Sequence, residues 1–272
     1  MKKTIVSLIS FITFTINVNA QEILDISHLE CNYSFTFMKD TTERTKTVKD
    51  SNMILLIGNK YSKFYSYTTF FRDSIINSMS VAEQENMLLN NSAGLVNFTS
   101  KYPQGEKYTI YKNYLDSTIT HTDKQLMEKM RYIETMPKQN WKILSEIKEI
   151  AGYKCQKATC SFRGRNYIAW FTRDIPINEG PWKFNGLPGL IVKVYDTQEH
   201  YDFELYSMRK INKPIEMNEK DYPKISREDY IRICRNFIRN PLGNTNGVLT
   251  SVNGTPIKPK VRQYDVMERD VK

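Results

Sequence analysis

"GPWKFNGLPGLIVKV", Gly180 to Val194, gathers three glycines and two prolines into fifteen residues, in a chain that has only 11 glycines and 10 prolines. Turn residues at this density beside Trp182, Phe184 and Leu187 predict a rigid apolar corner leading into a buried strand. Leu187-Pro188-Gly189-Leu190 fits a type II turn, with Pro188 presetting φ at the second position and Gly189 supplying positive φ at the third. Leu187 precedes a proline and is pushed towards extended backbone. Gly186 lets the chain pass close to a bulky neighbour. Gly180-Pro181 makes an earlier turn. Between the two turns, Trp182 and Phe184 alternate with Lys183 and Asn185 as on a half-buried strand edge. Leu190, Ile191 and Val192 then enter a sheet with apolar groups on both sides.

Strand signals extend outward from this corner. Cys31, Tyr33, Phe35 and Phe37 alternate with Asn32, Ser34 and Thr36, a period of two. Ile54–Ile57 is a short apolar run, Gly58-Asn59 turns the chain, and Tyr61–Phe71 returns it, rich in aromatics and threonine. Tyr108–Thr122, Trp141–Leu144, Lys154–Phe162, Tyr167–Phe171 and Tyr201–Leu205 continue the series, with Gly164 in a turn. Helices are fewer. Asp73–Leu89 is one candidate, capped by Asp73. Ser226–Arg239 is the better one, with Ser226 as N-cap, Asp229 at N3, and Tyr230, Ile233, Cys234 and Phe237 as its apolar stripe. Many strands at short spacing predict a mainly β fold: one strongly curved antiparallel sheet or half-open barrel, with a C-terminal helix and one earlier helix. No linker divides residues 21–258, which read as a single domain. Residues 259–272 read as a loose tail.

Lys2 and Lys3, the apolar run Ile5–Ile16 and the small-residue site Val18-Asn19-Ala20 read as a secretory signal peptide over residues 1–20. The expected product is exported across the inner membrane, periplasmic or secreted. No later stretch is apolar enough for a spanning helix. The formal charge of +9 becomes +7 without the two leader lysines, which favours acidic surfaces. The basic residues are scattered, so nucleic acid is not the expected partner. Cys31, Cys155, Cys160 and Cys234 are an even set in an oxidising compartment and suggest disulfides, with three pairings open. On one straight strand Cys155 and Cys160 would face opposite sides, roughly 16 Å apart, so each is expected to reach Cys31 or Cys234 unless a bulge intervenes. Their spacing suits neither a redox nor a zinc motif.

The corner also carries a resemblance. Ile150 to Ala158, Trp170 to Pro176, Gly180-Pro181 and Phe184 to Ile191 resemble, in order and spacing, the GLPGLI family of secreted bacterial proteins, named for the hexapeptide Gly186–Ile191. The specific part covers Trp141 to about Asp196. The resemblance implies export and brings no catalytic residues with it. The same segment is similar in pattern to periplasmic lipoprotein carriers, which implies a curved sheet cupping an apolar cavity. A shared fold does not fix a function.

Chemistry-bearing residues are sparse. His28, His121 and His200 stand outside any metal motif or nucleophile signature. His121 and Asp123 are two apart and would face one way on a strand, as a metal pair or a solvated pair. Neither cofactor nor metal is expected. Trp182, Phe184, Leu187 and Arg173 are the candidate ligand or partner contacts, and Gly186, Pro188 and Gly189 the structural turn. Trp182 and Phe184 would serve either as core anchors or as the lip of a pocket. Arg173 would hold an anionic group or pin the loop through an ion pair. The expected function is a non-enzymatic binding protein of the cell envelope, holding an apolar or lipid-like ligand on the sheet. The rival is an interaction module with a filled core, docking onto an envelope protein through an exposed edge or the corner. A hydrolase is the remote alternative.

Overall fold

The computed structural model describes residues 22–38, 40–41, 47–89, 98–125, 128–219, 222–239 and 266–271. The leader, residues 1–20, lies outside them. Among the described residues eleven strands are present: β1 Glu22–Met38, β2 Thr47–Gly58, β3 Tyr61–Ser66, β4 Thr109–Asn113, β5 Thr118–Gln125, β6 Glu128–Thr135, β7 Lys142–Ile150, β8 Tyr153–Phe162, β9 Arg165–Thr172, β10 Leu190–Asp196 and β11 Tyr201–Met217. The helices in the described residues are α1 Tyr67–Ser78, α2 Val81–Leu89, α3 Arg227–Arg239 and a single helical turn over residues 98–101.

The strands form one sheet in the order β6-β5-β4-β3-β2-β1-β11-β10-β9-β8-β7. Every pairing is antiparallel. Two meanders, β1–β6 and β7–β11, are thus joined along β1 and β11. Alternation sets the faces, as expected: Tyr33 and Phe35 on β1, Leu55 and Ile57 on β2, and Tyr201, Phe203 and Leu205 on β11 are all buried in the main core. Phe35 stacks on Phe203 with ring centroids 4.3 Å apart. β1 and β11 are 17 residues each, longer than their neighbours. Behind β2–β4, Ile54, Leu56, Tyr111 and Ile215 make a small second cluster. β10 reaches β11 only as far as Glu204. Pro214, which cannot donate to a ladder, therefore lies in the half of β11 that has β1 on one side and no β10 on the other.

The sheet is curled. β6 and β8 are nine strand spacings apart, roughly 43 Å if the sheet were flat. Yet Arg163, in the turn between β8 and β9, forms an ion pair with Glu134 of β6. Only a sheet wrapped back on itself permits that contact. The wrap stays open, because β6 and β7 are its two ends and do not pair. Segment 222–226 and α3 lie along the β6 end, where Arg131 donates its N–H to the Pro223 carbonyl and accepts from Ile225.

Local departures have local causes. The β2–β3 hairpin forms, but its return strand stops at Ser66, not Phe71. The Ser66 hydroxyl accepts from the Thr69 N–H, 3.2 Å, and donates to Asp50, 2.6 Å. That N-cap starts a helix at Tyr67. The helix expected from Asp73 to Leu89 is accordingly two helices. Ser80 and Glu83 form a reciprocal capping box that begins α2. Asp73 caps nothing and pairs with Lys124 instead, 2.6 Å. β7 runs on through Glu146, Lys148 and Glu149 and ends at the Ala151-Gly152 turn. There both φ angles are positive, at 52° and 79°, as at Arg163-Gly164 with 51° and 75°, the type I′ hairpin geometry. α3 starts where expected, with Asp229 N–H donating to the Ser226 hydroxyl, 3.0 Å. Its buried residue is Ile231, whereas Ile233 is exposed.

The expected disulfides do not form: Cys31, Cys155, Cys160 and Cys234 are all free. Cys31 lies on β1, four strand spacings from the β8 pair and five from β6, on which α3 carries Cys234. Cys155 and Cys160 are kept apart by an unbroken register with β9. The tail expected to be loose from 259 is docked in its described part: Glu268 is buried, and Arg269 donates its N–H to the Arg163 carbonyl, 2.8 Å.

Candidate functional site

The corner crosses the inside of the curl. Glu179 and Asn185 form an antiparallel bridge, and the Phe184 N–H closes a turn onto the Pro181 carbonyl, 3.0 Å. Trp182 therefore adopts φ 50°, unusual for a bulky residue and costing about 1–3 kcal/mol. Packing offsets that strain. The indole meets Phe162 edge-on at 5.8 Å and Phe184 at 5.3 Å, and Phe184 meets Tyr167 at 4.8 Å. The expected half-buried strand is thus a turn, because a positive φ ends the alternation. The type II turn is also replaced. Gly189 N–H bonds to the Leu187 carbonyl, 2.8 Å, and Leu190 N–H to Ile175, 3.0 Å, giving a three-residue turn centred on Pro188.

Two lysines enter the interior as a result. Lys183 is 0 % exposed. Its ammonium donates to the Tyr132 hydroxyl at 2.7 Å and to Glu134 and Glu268 at 2.6 Å each. Lys112 on β4 is 1 % exposed and donates to Glu179 at 2.8 Å and to the Gly180 and Phe184 carbonyls at 3.0 and 2.7 Å. Each ammonium has three protons and all three are engaged. These clamps tie the corner, which follows β9, to β4 and β6 of the other meander. Burial lowers the Lys112 pKa, while Glu179 opposes that fall.

Around Lys183 the charges balance. Glu134, Glu268 and Asp270 face Lys183, Arg163 and Arg227, with Arg227 Nε 2.7 Å from Glu268 and Arg163 Nη1 3.0 Å from Asp270. Burial alone would raise the Glu268 pKa; Lys183 and Arg227 outweigh it and hold the carboxyl at about 2. Next to this set, His121 stacks on Tyr132 at 4.8 Å. The Tyr230 hydroxyl donates to Asp123 at 2.6 Å and lies 3.0 Å from His121 Nε2. With that proton committed to Asp123, the histidine donates from Nε2, and its buried Nδ1 has no partner among the described residues. Burial and the nearby Lys183 keep the His121 pKa well below the ordinary value. Burial, helped by Asp123, pushes the neighbouring Cys234 thiol up to about 12, so it is held as the weakly nucleophilic thiol.

Of the residues singled out on the sequence, Trp182, Phe184 and Leu187 are all buried in the main core. Arg173 is exposed, its guanidinium 5.7 Å above the Phe171 ring. His121 and Asp123 do face one way, but both are buried rather than solvated. Among the described residues, no three His, Cys, Asp or Glu side chains gather as metal ligands. Lys183 reads on the sequence as the polar half of an alternation, and Lys112, Glu134, Arg227 and Glu268 as ordinary charges. Their one local signal is a lysine between two aromatic residues at the corner.

A different group of side chains faces outward. On α1, Tyr67, Phe70 and Phe71 are 39 %, 50 % and 44 % exposed. Tyr67 stacks on Phe71, which lies 6.3 Å from Tyr102, and Tyr102 lies 5.0 Å from Phe98. Arg72 sits 5.3 Å over the Phe98 ring, and Lys101 5.3 Å over Tyr102. The aromatic surface therefore has a basic border.

A family model described as "Protein of unknown function (Porph_ging)" matches residues 164–193, the hairpin and corner on which the resemblance rests. It does not bear the GLPGLI name. No curated protein matches the chain. Among solved structures, PNGF-II in a P21 space group is similar, at 17 % identity and TM-score 0.50 over 76 % of this chain. PNGF-II in a C2 space group gives the same identity and TM-score. The chain spans about a third of the length of these proteins: 33 % of the one and 32 % of the other. At this identity the likeness is one of fold.

Proposed function

We propose that the protein is an exported, non-catalytic binding module of the cell envelope, which works with a filled core and meets a protein partner through the aromatic face of α1. The observation that carries this reading is the contrast between a packed inside and an aromatic outside. An apolar ligand inside the curl would have to displace Trp182, Phe184 and Leu187, which are buried there. On α1, three large aromatic side chains are 39–50 % exposed on adjoining turns. Exposed clusters of aromatic residues bordered by arginine are typical of binding surfaces. The basic border of Arg72 and Lys101 suits a partner with acidic side chains around an apolar centre.

The test compares the native chain with F70S/F71S by cross-linking in intact envelopes. Both positions are half exposed, so the double variant is expected to keep its melting temperature and to lose the adduct formed by the native chain. An unchanged adduct in the variant, or none in either chain, refutes the reading. Saturable binding of a fluorescent fatty acid with Trp182 becoming solvent-accessible would return the apolar-ligand reading in its place.

A further inference from the structure

The segment 266–271 is held almost entirely by basic side chains. Arg165 donates to the Val266 carbonyl through Nε at 3.1 Å and Nη2 at 2.7 Å. Lys183 and Arg227 hold Glu268. Arg163 and Arg227 hold Asp270, at 3.0 and 2.6 Å, and Arg235 reaches the Val271 carbonyl. Met267 is the one side chain of the segment that packs against the main core. Gly164 makes room for it: a Cβ there would lie 2.8 Å from the Arg269 Cβ and 3.3 Å from the Asp270 nitrogen. Glu268 and Asp270, two residues apart, present their carboxylates to one side, as on an extended peptide.

We propose that Arg163, Arg165, Lys183, Arg227 and Arg235 form a binding site for an acidic peptide of pattern apolar-Glu-x-Asp, and that residues 266–271 are its resident, exchangeable occupant. The charges explain why the site has to be filled. With the segment in place, three carboxylates face three cations. Without it, Glu134 alone faces Lys183, Arg163 and Arg227, and two cations are left uncompensated in a largely buried place, which strongly favours binding of a replacement. A replacement needs two carboxylates at that spacing for the arginine forks. It also needs a peptide backbone, because Arg165 and the Arg163 carbonyl bind main-chain atoms. A simple anion satisfies only part of the set. This site is separate from the aromatic face of α1.

The experiment keeps the full chain. A specific protease site is introduced between Gly243 and Pro259, the chain is cut, and the cut protein is challenged with a fluorescent synthetic peptide of residues 264–272. The labelled peptide is expected to replace the resident fragment saturably, while near-ultraviolet circular dichroism shows the body still folded. A peptide carrying E268Q should bind about tenfold more weakly or worse. The proposal is overturned if the cut chain unfolds, which would make the segment part of the core. It is equally overturned if the fragment stays and no labelled peptide enters, or if the E268Q peptide enters as readily as the native one.

Discussion

Lys183 stands between Trp182 and Phe184, and on the sequence it reads as the wet half of an alternation. Nothing local contradicts that reading, because its carboxylate partners are 49 and 85 residues away. The positive φ of Trp182 turns lysine and phenylalanine inward together. A buried ammonium is costly to desolvate, and its stability here comes from two carboxylates and a phenol. The substitution K183M should therefore destabilise the fold by about 3–5 kcal/mol, since it leaves Glu134 and Glu268 buried against fewer cations. Adding E268Q to K183M should recover part of that loss. Urea unfolding of the single and double variants measures both. A loss below about 1 kcal/mol for K183M, the range of an exposed pair, would remove the clamp from the account.

Elements were legible where their signals were local. Gly164 of the β8–β9 hairpin and the Ser226–Asp229 cap of α3 sit within a few residues of what they control. α1 was misplaced because Tyr61–Phe71 is one aromatic and threonine-rich run. The side chain that fixes its cap, Asp50, belongs to another strand. The cysteines were misjudged because compartment and even count say nothing of distance along a sheet. Within the corner itself, two glycines that look alike do different work. Gly186 does not serve the close approach expected of it: it has φ 86° and open space where a Cβ would go, so G186A should cost only the left-handed backbone term, about 1–2 kcal/mol. Gly189 has φ 153°, and a Cβ there would lie 2.0 Å from the Thr172 carbonyl oxygen, a backbone atom that cannot step aside. G189A should cost clearly more than G186A and should displace β9 from β10. Thermal unfolding of the two variants checks the order, and equal losses would mean that the close approach to Thr172 is not what that glycine serves.

At the scale of the whole molecule, a curved antiparallel sheet was readable from strand number and alternation, but its closure was not. Closure rests on contacts between β6, the β8–β9 turn, the corner and residues 266–271, which the sequence separates widely and which run through charges rather than an apolar stripe. This makes closure dependent on pH. Glu268 titrates at about 2 in the folded chain against an ordinary 4.5, so the unfolded state takes up its proton first as the solution is acidified. Its contribution, on the order of 3 kcal/mol, is fully present above pH 4.5 and fades as the pH falls towards 2. The middle of the sheet, where β1 pairs with β2 and β11, is held mainly by an aromatic core. Acid should therefore open the wrap before it unfolds the sheet. Hydrogen exchange at neutral pH and across that acid range should show amides of β6 and residues 266–271 losing protection while those of β1 and β11 keep theirs. The E268Q variant should show the same local opening already at neutral pH. Loss of protection everywhere in a single step would mean that the charged clasp and the apolar core form one cooperative unit, and that the curl is not closed separately by its ion pairs.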